Sequence, residues 1–155
     1  MQDTLERSVD AAVVPTEVLA FRIGGEEYAI DILKVREIRG YERPTRIAGS
    51  GPSLCGVLNL RGTIVPIVDL RRLLGVDEPV LEASTVTIIL GLRDRSVGVV
   101  VDAVADVLSF EPGQVRAAPE MSGSTVAPFV LGLVSIGDRM LMALDVEGYL
   151  DAATD

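Results

Sequence analysis

The sequence predicts a mainly β protein, built as two small five-stranded barrels with short helices. Three observations carry that prediction. Val, Leu, Ile and Ala supply most of a 48% hydrophobic content, and 15 glycines and 8 prolines cut the apolar runs short. Such a composition favours many brief strands joined by turns. Several runs alternate with period two, as a half-buried strand does. Finally, one segment recurs. Gly132–Leu150 lies on Gly56–Leu74 without a gap, 76 positions on (132 − 56), with Ile64 on Met140, Val65 on Leu141, Asp69 on Asp145 and Leu74 on Leu150. Upstream, Tyr28–Asp31 matches Val99–Asp102. Two copies of roughly five strands are each too few for an open sheet to bury both faces, so closure into barrels is expected. The seam between the barrels is the expected groove for a partner.

Residues 1–15 are charged and rich in small side chains, a flexible tail ahead of a domain over residues 16–152. Glu17–Ile23 alternates, with Leu19, Phe21 and Ile23 on one face, and reads as a strand. Gly24–Gly25 turns the chain and Glu26–Ile30 returns. Asp31–Lys34 makes one helical turn before a strand over Val35–Arg39. Gly40–Gly51 is a loop carrying Pro44. The next hairpin turns at Arg61–Gly62. A two-residue primed turn wants positive φ at both positions and prefers Asn-Gly or Asp-Gly. Turn chemistry therefore accounts for Gly62 but not for Arg61. Asp69 caps a short helix whose Leu70, Leu73 and Leu74 share an apolar face, and Gly75 ends it. Val76–Ala83 is a polar connection. The pattern then restarts with strands over Ser84–Leu92, Ser96–Val101 and Ala103–Phe110, and Pro112–Gly113 turns the chain. A Ser/Gly-rich loop fills Pro119–Pro128. Leu131–Ile136 and Arg139–Leu144 form a hairpin across Gly137–Asp138, and Asp145 caps a last helix over Val146–Leu150.

Composition narrows the function. A net charge of −9 argues against nucleic acid and against anionic lipid head groups. One cysteine, Cys55, allows no internal disulfide and fits a reducing cytosol. The N-terminus has no apolar core, so it is no signal peptide, and no apolar run approaches the roughly 18 residues of a membrane span. Any membrane role is expected to come through a partner. There is no histidine, hence no His-based triad and no His metal site. Cys55 lacks a histidine to activate it and reads as a buried structural thiol. Asp31, Asp69, Asp102 and Asp145 each follow an apolar strand. Gathered together they would suggest a metal or acid–base site, but equivalent positions in two copies mark them as caps. Glu26–Glu27 and Asp77–Glu78 read as solvated turn residues. No catalytic set and no cofactor are expected, which leaves a binding module. Its specialised part is Asn59, Arg61, Gly62 and Pro66, because the second copy has Ser135, Gly137, Asp138 and Met142 there. Arg61 at a hairpin tip is a guanidinium fork suited to a carboxylate or a row of carbonyls.

Those residues carry a family likeness. Tyr28–Gly40, Gly56–Gly62 running on to Asp69–Leu70–Arg71, Val97–Asp102 and Gly137–Leu141 resemble the CheW family of chemotaxis coupling proteins, and the likeness spans Glu17–Leu150. The resemblance implies two intertwined SH3-like barrels. It implies a cytoplasmic, non-enzymatic adaptor that links transmembrane chemoreceptors to the histidine kinase CheA in arrays, recruited to the membrane by those partners. By residue, it implies that the receptor's cytoplasmic hairpin tip meets Ile32, Val35, Glu37, Ile38, Asn59, Arg61, Gly62, Gly98, Val99 and Val100. Val86, Ile88 and Leu150 are implied to face the kinase's regulatory domain. Two other readings stay open: a coupling protein for a non-flagellar pathway such as pilus motility, and a small-ligand or metal-binding barrel that uses the aspartates.

Overall fold

The computed structural model describes residues 15–49, 54–118 and 127–154. The expected N-terminal tail lies almost wholly outside them, as does most of the Pro119–Pro128 loop. Among the described residues, eleven strands fall into two sheets: β1 (Glu17–Ile23), β2 (Glu26–Asp31), β3 (Val35–Gly40), β4 (Leu54–Leu60), β5 (Thr63–Asp69), β6 (Val86–Gly91), β7 (Ser96–Val101), β8 (Ala103–Ser109), β9 (Val115–Arg116), β10 (Val130–Ile136) and β11 (Arg139–Leu144). Helix α1 (Leu70–Leu73) follows β5, and α2 (Val146–Thr154) follows β11. Single 3-10 turns occupy Ile32–Lys34, Pro112–Gln114 and Ala127–Phe129.

The chain forms a mainly β fold of two units. Unit 1 takes residues up to Phe21, Glu26–Ile32, and everything from Ala105; unit 2 takes Arg22–Gly25 and Leu33–Val104. Unit 1 is built on a six-stranded sheet in the order β8-β1-β2-β11-β10-β9, one strand more than the sequence predicts, because the two-residue β9 adds to its edge. Unit 2 is built on the five-stranded sheet β3-β6-β7-β5-β4.

The internal repeat is real, but its copies are shared out between the units. In unit 2, β5 lies parallel to β7, with Val68 opposite Val99. In unit 1, β11 lies parallel to β2, with Met142 opposite Tyr28. Parallel neighbours cannot be joined by a tight turn. Each unit therefore combines a hairpin from one stretch of chain with a hairpin from another, and the units interleave along the sequence. The matched Gly56 and Gly132 play the same part in each: both sit just past a register shift, at Leu54/Gly56 and Val130/Gly132.

Alternation along each strand builds the cores. In unit 1, Val18, Ala20, Ala29, Phe110, Val134, Leu141 and Ala143 cluster together. In unit 2, Leu58, Leu60, Val65, Ile67, Ile89 and Val100 do so. Burying one such aliphatic side chain contributes about 1.5–3 kcal/mol. Core packing also claims several residues expected at partner surfaces. Val99 and Val100 are buried and Gly98 has no room beside it, since a Cβ there would meet Ile67, Thr87 and Ile89. Ile88 and Leu150 are 0% and 1% exposed. These five residues shape the units from inside and offer no side-chain surface. Of the expected kinase-facing set, only Val86 is half-exposed.

Three of the four aspartates, Asp69, Asp102 and Asp145, make structural bonds, though not all in the same way. Asp69 caps α1, accepting from the Arg71 amide at 3.0 Å, and Asp145 accepts from the Gly148 amide at 3.0 Å in the first turn of α2. Asp102 does not cap the strand after it. Its carboxylate accepts from the Gly24 amide at 2.8 Å and from Arg71 at 3.2 Å. Glu27, expected to be solvated, is half-buried and pairs with Arg139 at 2.6 Å.

Candidate functional site

The site grows from the β4–β5 hairpin. Leu60 pairs with Thr63, leaving Arg61 and Gly62 as the turn. Both have positive φ, 52° and 88°, as a primed turn demands. Arg61 is the one non-glycine with positive φ among the described residues. A left-handed L-residue costs about 1–2 kcal/mol, so the turn holds an arginine where glycine or asparagine would fit better. Asn59 compensates. Its Oδ1 accepts from the Gly62 amide at 2.9 Å and braces the turn from the preceding strand.

The Arg61 side chain is 76% exposed yet not loose. It donates to Glu37 Oε1 at 2.9 Å, and Arg39 donates to Glu37 Oε2 at 2.8 Å. Arg39 also reaches Glu42 at 3.3 Å. Glu37 and Arg39 both lie on β3, which bulges between Val35 and Glu37 before pairing Glu37 with Ile89. Hydrogen bonds from Arg61 first, then from Arg39, hold the Glu37 carboxyl below the usual glutamate range. The result is a row of alternating charges, Arg61–Glu37–Arg39–Glu42, along one edge of unit 2. An open depression of ≈ 340 Å³ lies against it, lined by Arg36, Glu37, Leu60, Arg61, Val65 and Ile89 among others.

Among the apolar residues of unit 2, Ile38 is 46% exposed, Ile64 61% and Leu33 88%. Val35 is half-buried, and Ile32 is a half-buried residue of unit 1. The fold thus brings Glu37, Asn59, Arg61 and Gly62 together at one hairpin, with Ile38 next to Glu37 on β3. It does not add Gly98, Val99 or Val100 to that surface.

Two arginines escaped sequence reasoning. Arg71 lies on α1, where only the leucine spacing drew notice, and it is buried against Asp69 and Asp102. Arg139 opens β11 and pairs with Glu27 and with Asp106 at 3.0 Å. Its hydrogen bonds to Asp106 and to Glu27 push its pKa further above the ordinary arginine value. The second hairpin, lacking an arginine at its tip, thus carries its own ion-paired arginine on the returning strand. The signal available was each arginine's place next to a repeated motif, Asp69-Leu70-Arg71 and Gly137-Asp138-Arg139.

Burial pushes the Cys55 thiol above its ordinary value, opposite to what a nucleophile needs. Among the described residues, no group of three or more His, Cys, Asp or Glu is placed to hold a metal ion. Asp69 and Asp102 do approach each other, but across the Arg71 guanidinium.

The structure thus presents two β units interleaved along one chain, one of them with a braced, ion-paired hairpin tip. Comparison with known proteins gives the family. The model of the CheW-like domain matches residues 17–154. Chemotaxis protein CheW from Klebsiella aerogenes is 47% identical over 139 residues, 90% of this chain and 84% of that protein. Chemotaxis protein CheW from Bacillus subtilis is 34% identical, covering 87% and 86%. Among solved structures, the scaffolding protein TtCheW from Thermoanaerobacter tengcongensis superposes with a TM-score of 0.76 at 26% identity, covering 84% of this chain and 89% of that one. The chain belongs to the CheW-like family and is a chemotaxis scaffold of that type. No helix among the described residues is long and apolar enough to cross a membrane.

Proposed function

We propose that this protein is a non-enzymatic adaptor that couples the cytoplasmic hairpin tip of a chemoreceptor to the histidine kinase CheA. In this reading residues 16–152 form the working domain, and the protein acts in the cytoplasm, drawn to receptor arrays by its partners. The observation that carries the proposal is the Arg61–Glu37 pair, with Arg61 exposed at the tip of a strained but braced turn and the exposed Ile38 following Glu37 on β3. A helical hairpin presents apolar positions at intervals of three and four with polar ones between. Ile38 and the half-buried Val35 supply apolar contact for the first kind. Arg61 and Glu37 supply oriented polar contacts, which fix register and specificity more than affinity. Val86 is the candidate kinase-facing residue of the three the resemblance implies, since it alone keeps exposed side-chain surface.

The test is a pull-down with a receptor cytoplasmic fragment and CheA from the same cell, wild type beside Arg61→Ala. Wild type is expected to bridge the two, and the variant to keep the kinase while losing the receptor. If the variant assembles the ternary complex with normal affinity, the site assignment is wrong. If wild type binds neither partner, the coupling role itself fails.

A further inference from the structure

The Arg61 row is exposed, but the most completely engaged cation in unit 2 is Arg71, at 3% exposure. Its guanidinium grips Asp69 with two bonds, Nε to Oδ1 at 2.9 Å and Nη2 to Oδ2 at 3.0 Å. Nη1 faces the other way, to the Val80 carbonyl at 2.9 Å and to Asp102 Oδ1 at 3.2 Å. Asp102 passes the connection on, because its second oxygen accepts from the Gly24 amide at 2.8 Å, while its own amide donates to the Arg22 carbonyl at 3.1 Å. One side chain thus meets three separate pieces of chain, the end of β5, the β7–β8 junction and the strap at 76–82 that leads from α1 to β6, and through Asp102 it is connected to a fourth, the β1–β2 turn at 22–25.

The strap has few other anchors. It carries no regular secondary structure and exposes Val80 and Leu81, at 66% and 57%. Its start is held by the Val76 amide on the Arg71 carbonyl at 2.9 Å, and its end by the Glu82 amide on the Thr85 hydroxyl at 2.9 Å. Arg72 adds a bond to the Asp77 carbonyl at 3.1 Å. The turn at 22–25 also lies near the strap, since a Cβ at Gly24 would sit 3.4 Å from Val76 Cγ2.

We infer that Arg71 is a clasp that makes the 22–25 turn and the 76–82 strap open and close as one event, with Asp102 as the link. The physical reason lies in the guanidinium. Only a planar fork with five donors can serve Asp69 bidentately and still aim a second nitrogen at Val80 and Asp102. A lysine keeps the charge but carries its three donors on one nitrogen, so it can hold the nearly buried Asp69 or reach the other two, not both. Segments held by shared bonds exchange their amides as a cooperative unit, while segments held separately do not.

Amide hydrogen exchange on the full chain, resolved by residue, tests this at Gly24, Val76 and Glu82, with the β10–β11 amides of unit 1 as reference. Arg71→Lys is expected to speed exchange at all three by at least tenfold and leave the reference within twofold. Acceleration confined to Val76 and Glu82, or an equal rise everywhere, would overturn the clasp and leave Arg71 as an ordinary core ion pair. Should Arg71→Lys not fold, Asp102→Ala decides, because Asp69 and Val80 still hold Arg71 in it. Gly24 is then expected to exchange at least tenfold faster, with Val76 and Glu82 accelerated by a smaller factor. No change in the strap would show that turn and strap are independent, and the inference would fall.

Discussion

Gly56→Ala is expected to cost far more than any other glycine replacement near the hairpin. Gly56 has φ of 147°, and a Cβ there would overlap the Thr45 carbonyl oxygen and lie 2.6 Å from its carbon. The obstruction is backbone, so no side chain can swing aside. Thr45 is held there by a two-bond bridge, Thr45 amide to Val57 carbonyl and the reverse, each 2.9 Å. Accommodating the methyl means moving the 41–49 loop and losing both bonds, about 1 kcal/mol each. The unfavourable φ adds about 1–3 kcal/mol. The sum is about 3–5 kcal/mol, or roughly 10 °C in Tm. Gly62→Ala is the matched control. It also has positive φ, 88°, but nothing lies within 4 Å of its Cβ position, so only the backbone cost of about 1–2 kcal/mol applies. Urea titration of both variants beside wild type measures the difference. If Gly56→Ala loses no more stability than Gly62→Ala, the close approach of Thr45 is not what holds that loop, and the reasoning is refuted.

Thr87 is wholly buried on β6 and its hydroxyl has no hydrogen-bond partner among the described residues, so Thr87→Val should raise stability by about 1 kcal/mol in chemical denaturation; a loss would mean the hydroxyl is satisfied. Glu37 should titrate below its ordinary 4.5, and Arg61→Ala should move its midpoint upward, since the Arg61 hydrogen bond is the largest cause of the lowering. A carboxyl depressed on folding stabilises the folded state above its unfolded pKa, and that share vanishes as pH falls through the lower folded value. An NMR titration of the Glu37 side chain with an unshifted midpoint in both proteins would contradict this. Exchanging Arg139 for Ala leaves Glu27 half-buried without its 2.6 Å partner and should destabilise unit 1 by about 1 kcal/mol, read as faster exchange in β10 and β11.

How much of the molecule was open to sequence reasoning varies with the range of the interaction. Hairpins, caps and the Arg61–Gly62 turn are local, and period-two alternation with Gly and Asp at fixed places revealed them. Alignment of Gly56 with Gly132 located both bulges without naming them. Arg61 stood out because its twin position holds glycine, and the positive φ explains why that contrast was informative. The specific partner of Arg61 was a different matter. Glu37 is 24 residues away in the chain, on a strand that pairs with β6 and not with the Arg61 hairpin.

The sequence by itself determined the kind of element at nearly every described position, the two-copy organisation and the family likeness, because each rests on spacing within a few residues or on direct matching of segments. Tertiary structure alone decided which hairpin joins which sheet, since parallel pairs such as β5–β7 and β2–β11 leave no turn signature in the chain. It also decided that Gly98, Val99, Ile88 and Leu150 face inward, and that Arg71 and Arg139 close ion-pair networks across 31 and 112 residues of sequence. Burial and long-range charge pairing depend on what the rest of the chain brings to a residue, and no local pattern encodes that.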